Sequence, residues 1–383
     1  MSKVVSFFLF FALLIFGFYL AQHKPLWNDE IYSQVGSIQG QSYFDMLSGN
    51  IEEGSNSPLF YFIQKTICLI TQQKLSFSGA SNWYIIDKKL QALLRVASNV
   101  FMALAITLIF YFFTHYYSWK AGLYAFLVTL SSPMIWRYWV EARPYALWIC
   151  LTVIQLVLFF TLIKNKDKRA SLWKWFILTH ILMAFTAVFS LAQMVILSMI
   201  LWWFGRQKKW MLPSKLYWIG TVLAIAICLF YYTQAPKYNF WFDQKNPPLK
   251  LLTDCFPIEQ IVICGIYGIF FIFFRKGNVA FREEGKYGLT ALVLTSLAAG
   301  ALMGIFIIKA VEYPNGFAVV SRYFLFLTPI SIMVTTLFSV HLMRLFKNNF
   351  WMTINLSVVL SGLLIVRFMK TYLTIYELAI YWK

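Results

Sequence analysis

Long apolar windows separated by short polar and basic runs make up most of this chain. Windows at 4–21, 91–113, 121–135, 145–163, 173–188, 190–204, 216–234, 259–274, 287–308, 322–341 and 350–367 approach the roughly 17–25 apolar residues that a membrane-crossing helix needs. They predict an all-α polytopic membrane protein with about 11 transmembrane helices. The windows at 121–135 and 259–274 are short, so a tilted, broken or re-entrant span is expected in that pair. The stretch 173–204 is too long for one crossing, and a tight helical hairpin is expected around Phe189 and Ser190.

The polar runs between the windows fix an orientation. With the N-terminus inside, the basic clusters Lys164–Arg169, Arg206–Lys209, Arg275–Lys286 and Arg344–Lys347 all fall on the cytoplasmic side, as positively charged loops do. Residues 22–90, 136–144, 235–258 and 309–321 then lie outside. The segment from Pro58 to Ile70 is apolar but short, and Gln64 and Lys65 interrupt it. If it crossed, every later loop would change sides. It is read instead as an amphipathic helix at the outer interface, opened by a proline. Residues 1–383 thus form one integral-membrane domain. Residues 22–90 are an extracytoplasmic first loop with juxtamembrane helices, and 369–383 a short C-terminal tail.

Composition agrees and removes other classes. The chain is 60% hydrophobic, 20% aromatic and only 13% charged, against about 25% charged for soluble domains. The net charge of +18 follows from cytoplasmic loop bases and does not call for nucleic acid. Cys68, Cys150, Cys228 and Cys264 lie in apolar segments, Cys255 in a loop, and no metal-type spacing occurs. Gln22-His23-Lys24-Pro25 after the first window lacks a small-residue cleavage site, so that window is read as a retained span.

Four polar groups then collect at the outer face. They are Trp27-Asn28-Asp29-Glu30 with Tyr32; Asn56-Ser57-Pro58-Leu59-Phe60-Tyr61; Arg137 through Leu147, containing Glu141-Ala142-Arg143-Pro144-Tyr145; and Ser321-Arg322-Tyr323, preceded by Lys309 and Glu312. Asp29 and Glu30 sit among aromatics at the membrane boundary, where desolvation favours a carboxylate that can accept a proton. Arginine at an outer helix end runs against the topological bias, which singles out Arg143 and Arg322. Their guanidinium forks match phosphate oxygens.

As an ordered set, these motifs resemble the bacterial branch of the C-type glycosyltransferase superfamily, which includes protein O-mannosyltransferase-like and aminoarabinose-transferase-like enzymes. Here Asn56 or Ser57 stands where that branch often has histidine. Thr179-His180 with Gln193 is similar to a further family helix, with Ile181 in place of tyrosine. The resemblance implies transfer of a hexosyl or pentosyl group from a polyprenyl-phosphate donor to an acceptor hydroxyl, with inversion, at the outer face of the cytoplasmic membrane. It implies Asp29 as general base with Glu30 beside it, and Glu141 across the cavity. Arg143, Arg322 and Lys309 would hold the lipid phosphate, and Tyr32, Asn56, Tyr61 and Tyr145 would contact substrate. The acceptor would be a glycan, lipid or protein. No cofactor is expected, although convergent carboxylates are a set that can hold Mg or Mn.

The competing readings are a lipid-substrate transporter or flippase and a non-catalytic envelope-assembly protein. Transporters concentrate polar groups near the bilayer midplane, whereas here they gather at one face. His180 lies mid-span and is read as a histidine satisfied inside the bundle.

Overall fold

The computed structural model describes residues 2–51, 57–75, 88–164, 169–207, 215–234, 256–274, 293–298, 300–302, 304 and 321–381. It contains helices α1 (Ser2–His23), α2 (Asn28–Tyr32), α3 (Tyr43–Leu47), α4 (Leu59–Thr71), α5 (Lys88–Leu94), α6 (Val96–Tyr116), α7 (Trp119–Leu130) and α8 (Pro133–Tyr138). These are followed by α9 (Tyr145–Lys164), α10 (Arg169–Ala184), α11 (Ser190–Gln207), α12 (Lys215–Gln234), α13 (Ile258–Phe274), α14 (Leu327–Leu345) and α15 (Phe350–Tyr381). Among the described residues six helices are long and apolar enough to cross a membrane: α1, α6, α9, α12, α14 and α15.

Helix α6 is central and packs against α1, α7 and α9, while α10 packs against α9 and α12. Helix α1 is apolar all round, yet it buries only Ser6, Leu13, Gly17 and Ala21. Those residues lie on one stripe at helical spacing, small enough for α6 to approach closely. A Cβ on Gly17 would stand 1.7 Å from Asn99 Oδ1. Asn99 uses that proximity: its Nδ2 donates to Leu14 O at 2.9 Å, and Trp139 Nε1 donates to its Oδ1 at 3.1 Å. The remaining face of α1, with Phe7, Phe8, Ile15 and Tyr19, stays exposed and is suited to lipid.

Between α9, α10, α11 and α12 buried polar side chains satisfy one another in a run, as a medium without water favours. Thr152 donates to Gln193, Gln193 to Gln155, and Gln155 pairs with His180. His180 is fully buried and also meets Ser198, which shares a 2.6 Å hydrogen bond with Tyr217. This chain of contacts ties α9, α10, α11 and α12 together, and His180 has the structural role expected of it.

Several expectations match the structure in detail. The α10–α11 connection turns between Ala184 and Ser190. Helix α4 spans 13 residues and buries Phe60, Tyr61, Gln64 and Cys68 along one face. The backbone N–H of Leu59 donates to Phe185 O at 2.8 Å, which pins its start to the α10–α11 turn. Gln64 reaches Leu94 O at 2.6 Å, and Lys65 reaches Ile38 O and Gln41 O at 2.8 and 2.7 Å.

Two expectations need correction. The run 91–113 is broken at Arg95, with α5 before it and α6 after. The last helix does not stop near 367 to leave a tail, because α15 continues to Tyr381. The charges that suggested an end are instead partnered: Arg367 lies 3.7 Å from Glu259 on α13, and Lys370 bonds the same carboxylate. Part of the window 287–308, and residues 76–87 and 235–255, lie outside the described residues.

Candidate functional site

The site is built where the C-terminal end of α1 meets the turns that precede α6 and α9. Helix α1 ends at His23, and Pro25 follows Lys24. The buried Arg95 side chain closes this corner. Its Nε donates to Glu30 Oε1 at 2.9 Å and its Nη2 to Glu30 Oε2 at 2.6 Å. The same guanidinium donates to Ala21 O at 3.1 Å, to Pro25 O at 2.8 Å and to Lys24 O. Both partners have fully buried side chains.

Glu30 is correspondingly saturated. Its Oε1 also accepts from Ala142 N at 2.7 Å and its Oε2 from Trp27 N at 3.1 Å. Burial is the largest influence and pushes this carboxyl up, but the charge and hydrogen bonds of Arg95, with the Lys24 charge and the Ala142 N–H, together hold it below its ordinary value. Glu30 and Asp29, expected together as site acids, thus face different partners. Consecutive helical residues point about 100° apart, and Glu30 points into the corner as its fastener.

Asp29 points the other way. Its Oδ2 accepts from Arg143 Nη1 at 2.7 Å and from Arg322 Nη1 at 2.9 Å. The Asp29 and Arg322 side chains are 35% and 30% exposed, whereas Arg143 is 7% exposed. Among the described residues Asp29 Oδ1 accepts no hydrogen bond. Three residues that are far apart in sequence thus meet at one carboxylate oxygen.

Local structure explains how Arg143 gets there. A residue before proline is driven out of the helical region, and Pro144 follows. The backbone N–H of Arg143 donates to Glu141 O at 2.7 Å, making a tight turn, and the Arg143 C=O accepts from Ser98 at 3.4 Å. The guanidinium lies 5.0 Å from the centre of the Tyr145 ring. Tyr145 is buried, and its hydroxyl has no hydrogen-bond partner among the described residues. Arg322 comes from a separate 3-10 turn, Ser321–Phe324, with its guanidinium 5.9 Å from the Tyr323 ring.

Glu141 is buried, and the cation nearest its carboxylate is Lys24, 4.0 Å away. Lys24 Nζ also donates to Arg137 O at 2.9 Å. Burial pushes Glu141 above and Lys24 below their ordinary values, and each partially restrains the shift of the other. Lys24 and Arg95 were not singled out from the sequence. Both are basic residues at the end of a window on the same face as Arg143 and Arg322, so the same positive-inside argument would have found them.

The other expected site residues are less engaged. Tyr32 is exposed on α2, and Tyr61 is fully buried under α4 beside Phe60. The structure gives Tyr61 a place in the core, and its expected contact with substrate stays a proposal. Asn56 and Lys309 lie outside the described residues. Among the described residues no group of three histidines, cysteines or acids is placed to hold a metal ion.

No protein-family model and no curated protein sequence matches this chain. A solved structure does. The crystal structure of ArnT from Cupriavidus metallidurans in the apo state superposes with a TM-score of 0.55 at 11% sequence identity. The match covers 100% of this chain and 75% of that one. The chain has an ArnT-like fold. At that identity the likeness shows the fold alone, a helical multi-pass membrane architecture like that of ArnT.

Proposed function

We propose that the protein is a membrane glycosyltransferase that moves a sugar from a polyprenyl-phosphate donor to an acceptor hydroxyl at the outer face of the membrane. The observation that carries this reading is the meeting of Asp29 with Arg143 and Arg322 at one half-open carboxylate. The ArnT-like fold and the motif order support it.

In this reading Asp29 takes the proton of the acceptor hydroxyl. The acceptor oxygen forms a bond to the anomeric carbon as the bond from that carbon to phosphate breaks, with inversion. The electron pair remains on the phosphate, where Arg143 and Arg322, with Lys309, offset the growing charge. Preorganised donors of this kind are each worth about 10²–10³ in rate, and a positioned base about 10²–10⁴. Glu141 and Lys24 shape the acceptor side through their mutual contact.

Charge counting favours a phosphodiester of low charge. Lys24, Arg95, Arg143 and Arg322 outnumber Asp29, Glu30 and Glu141 by four to three before Lys309 is added, which suits an anionic ligand of low charge. Each of those carboxylates already faces a cation, so the donor set does not favour a divalent metal, and no step requires one. The test is transfer by purified protein across a panel of polyprenyl-phosphate sugars, read by product mass. Asp29→Asn is expected to abolish product formation. Full activity in that variant removes Asp29 as the base.

A further inference from the structure

The arrangement that places Asp29 also occupies it. A carboxylate oxygen has two lone pairs suited to hydrogen bonding, and both of those on Oδ2 are engaged by guanidinium donors. The two arginines are nevertheless held differently. Arg143 is nearly enclosed, with its backbone bonded on both sides and an aromatic ring against its guanidinium. Arg322 sits on a short turn, with nearly a third of its side chain exposed. Reorienting Arg322 disturbs little packing, whereas reorienting Arg143 breaks the loop that Glu30 fastens through Ala142.

An incoming phosphate needs the same guanidinium donors, and its negative charge is repelled by the Asp29 carboxylate. Like charges at this separation are costly in a partly buried site. The conflict resolves most cheaply at the more exposed arginine.

We propose that Arg322 is an exchanging ligand: in the empty site it binds Asp29, and an arriving lipid phosphate takes it over, while Arg143 stays on Asp29 as its positioning partner. This rests on the lipid-phosphate reading under Proposed function and adds an order of events to it. Donor binding releases one lone pair of Asp29 Oδ2, the oxygen that both arginines fill in the empty site, and adds it to the open Oδ1, so the acceptor meets a carboxylate with one arginine fewer on it. Asp29 then takes the acceptor proton as the new glycosidic bond forms, and the electron pair of the broken bond stays on the phosphate beside Arg322. When the lipid phosphate leaves, Asp29 gives its proton to water and Arg322 returns.

The exchange is tested by binding alone, with farnesyl phosphate titrated into purified full-length protein in detergent and inorganic phosphate as the parallel ligand. If Asp29 competes with phosphate for Arg322, Asp29→Asn binds farnesyl phosphate about tenfold more tightly than wild type. Arg322→Ala binds about tenfold more weakly. In the Arg322→Ala background, the gain from Asp29→Asn shrinks to about twofold or less, because the contested partner is gone.

An Asp29→Asn variant with unchanged or weaker affinity overturns the exchange. So does a gain that persists undiminished without Arg322, since the competition would then lie at Arg143. Equal binding of inorganic phosphate, with the same response to Asp29→Asn, keeps the exchange and removes the lipid donor. Tighter binding combined with full transfer in Asp29→Asn keeps the exchange and removes the base. A folded wild-type protein that binds neither ligand removes both the exchange and the reading on which it rests.

Discussion

Replacing Arg95 by methionine is the most informative single perturbation of the scaffold. The side chain is fully buried and makes two hydrogen bonds to Glu30 and three to the carbonyls of Ala21, Lys24 and Pro25. Arg95→Met leaves the Glu30 carboxylate enclosed, with the N–H groups of Ala142 and Trp27 as its remaining hydrogen-bond donors among the described residues and the Lys24 charge nearby. Removing one member of a buried ion pair costs about 3–5 kcal/mol. For a chain of 383 residues that corresponds to a fall of roughly 4–6 °C in apparent melting temperature. The assay is a thermal melt of purified protein in one detergent, run at a fixed scan rate because membrane proteins often unfold irreversibly. Glu30→Leu added to Arg95→Met removes the stranded charge and is expected to recover most of the lost stability. Transfer activity is not expected to return, because Asp29 and the loop before Arg143 lose their common fastening. A melting temperature for Arg95→Met within about 1 °C of wild type would refute the reasoning, since it would mean the corner is not held by this pair.

Two further predictions concern neighbouring features. Gly17→Ala places a Cβ against Asn99 Oδ1 and close to Trp139 Nε1, and overpacking of this kind costs about 1–3 kcal/mol; a lowered melting temperature in detergent checks it, and an unchanged one refutes the close α1–α6 approach. Glu141 has a raised value in the folded protein, so its contribution to stability is complete below its ordinary value of 4.5 and is lost as pH rises through the folded value. Lys24 has a lowered folded value, so stability returns as pH rises from that value towards 10.5. Melting temperature against pH is therefore expected to fall and then recover, with Glu141→Gln abolishing the fall and Lys24→Met the recovery.

The parts of this molecule that were legible in the sequence are those set by local pattern. Window lengths gave α6, α9, α12, α14 and much of α15, and the proline and broken apolar run gave α4. Motif order placed Asp29, Arg143 and Arg322 together, although 293 positions separate the first from the last. What escaped was pairing inside the corner. Arg95 looks in sequence like a charge interrupting a span, and its meaning depends on Glu30, 65 residues away. That Asp29 and Glu30 face different partners follows from helical geometry, which sends adjacent side chains in different directions. The end of α15 was misplaced for a similar reason: Arg367 and Lys370 looked like a boundary because Glu259, their partner, lies more than a hundred positions earlier.

These observations assign different mechanical duties to the charges around the site. Glu30 with Arg95 is sealed from solvent, and through Ala142 it links the segment bearing Asp29 to the segment bearing Arg143. The relative position of those two residues is therefore a property of the scaffold. Arg322 enters from elsewhere, on a turn whose Tyr323 packs on Phe189 and whose neighbour Phe326 packs on Trp148. Its distance to Asp29 depends on how the start of α14 is seated against α9 and the α10–α11 turn, which is a weaker constraint than a buried ion pair. A site with two rigidly related groups and one separately mounted cation can accept an anion by moving the cation alone, and that mounting lets Asp29 be held in place without being permanently blocked.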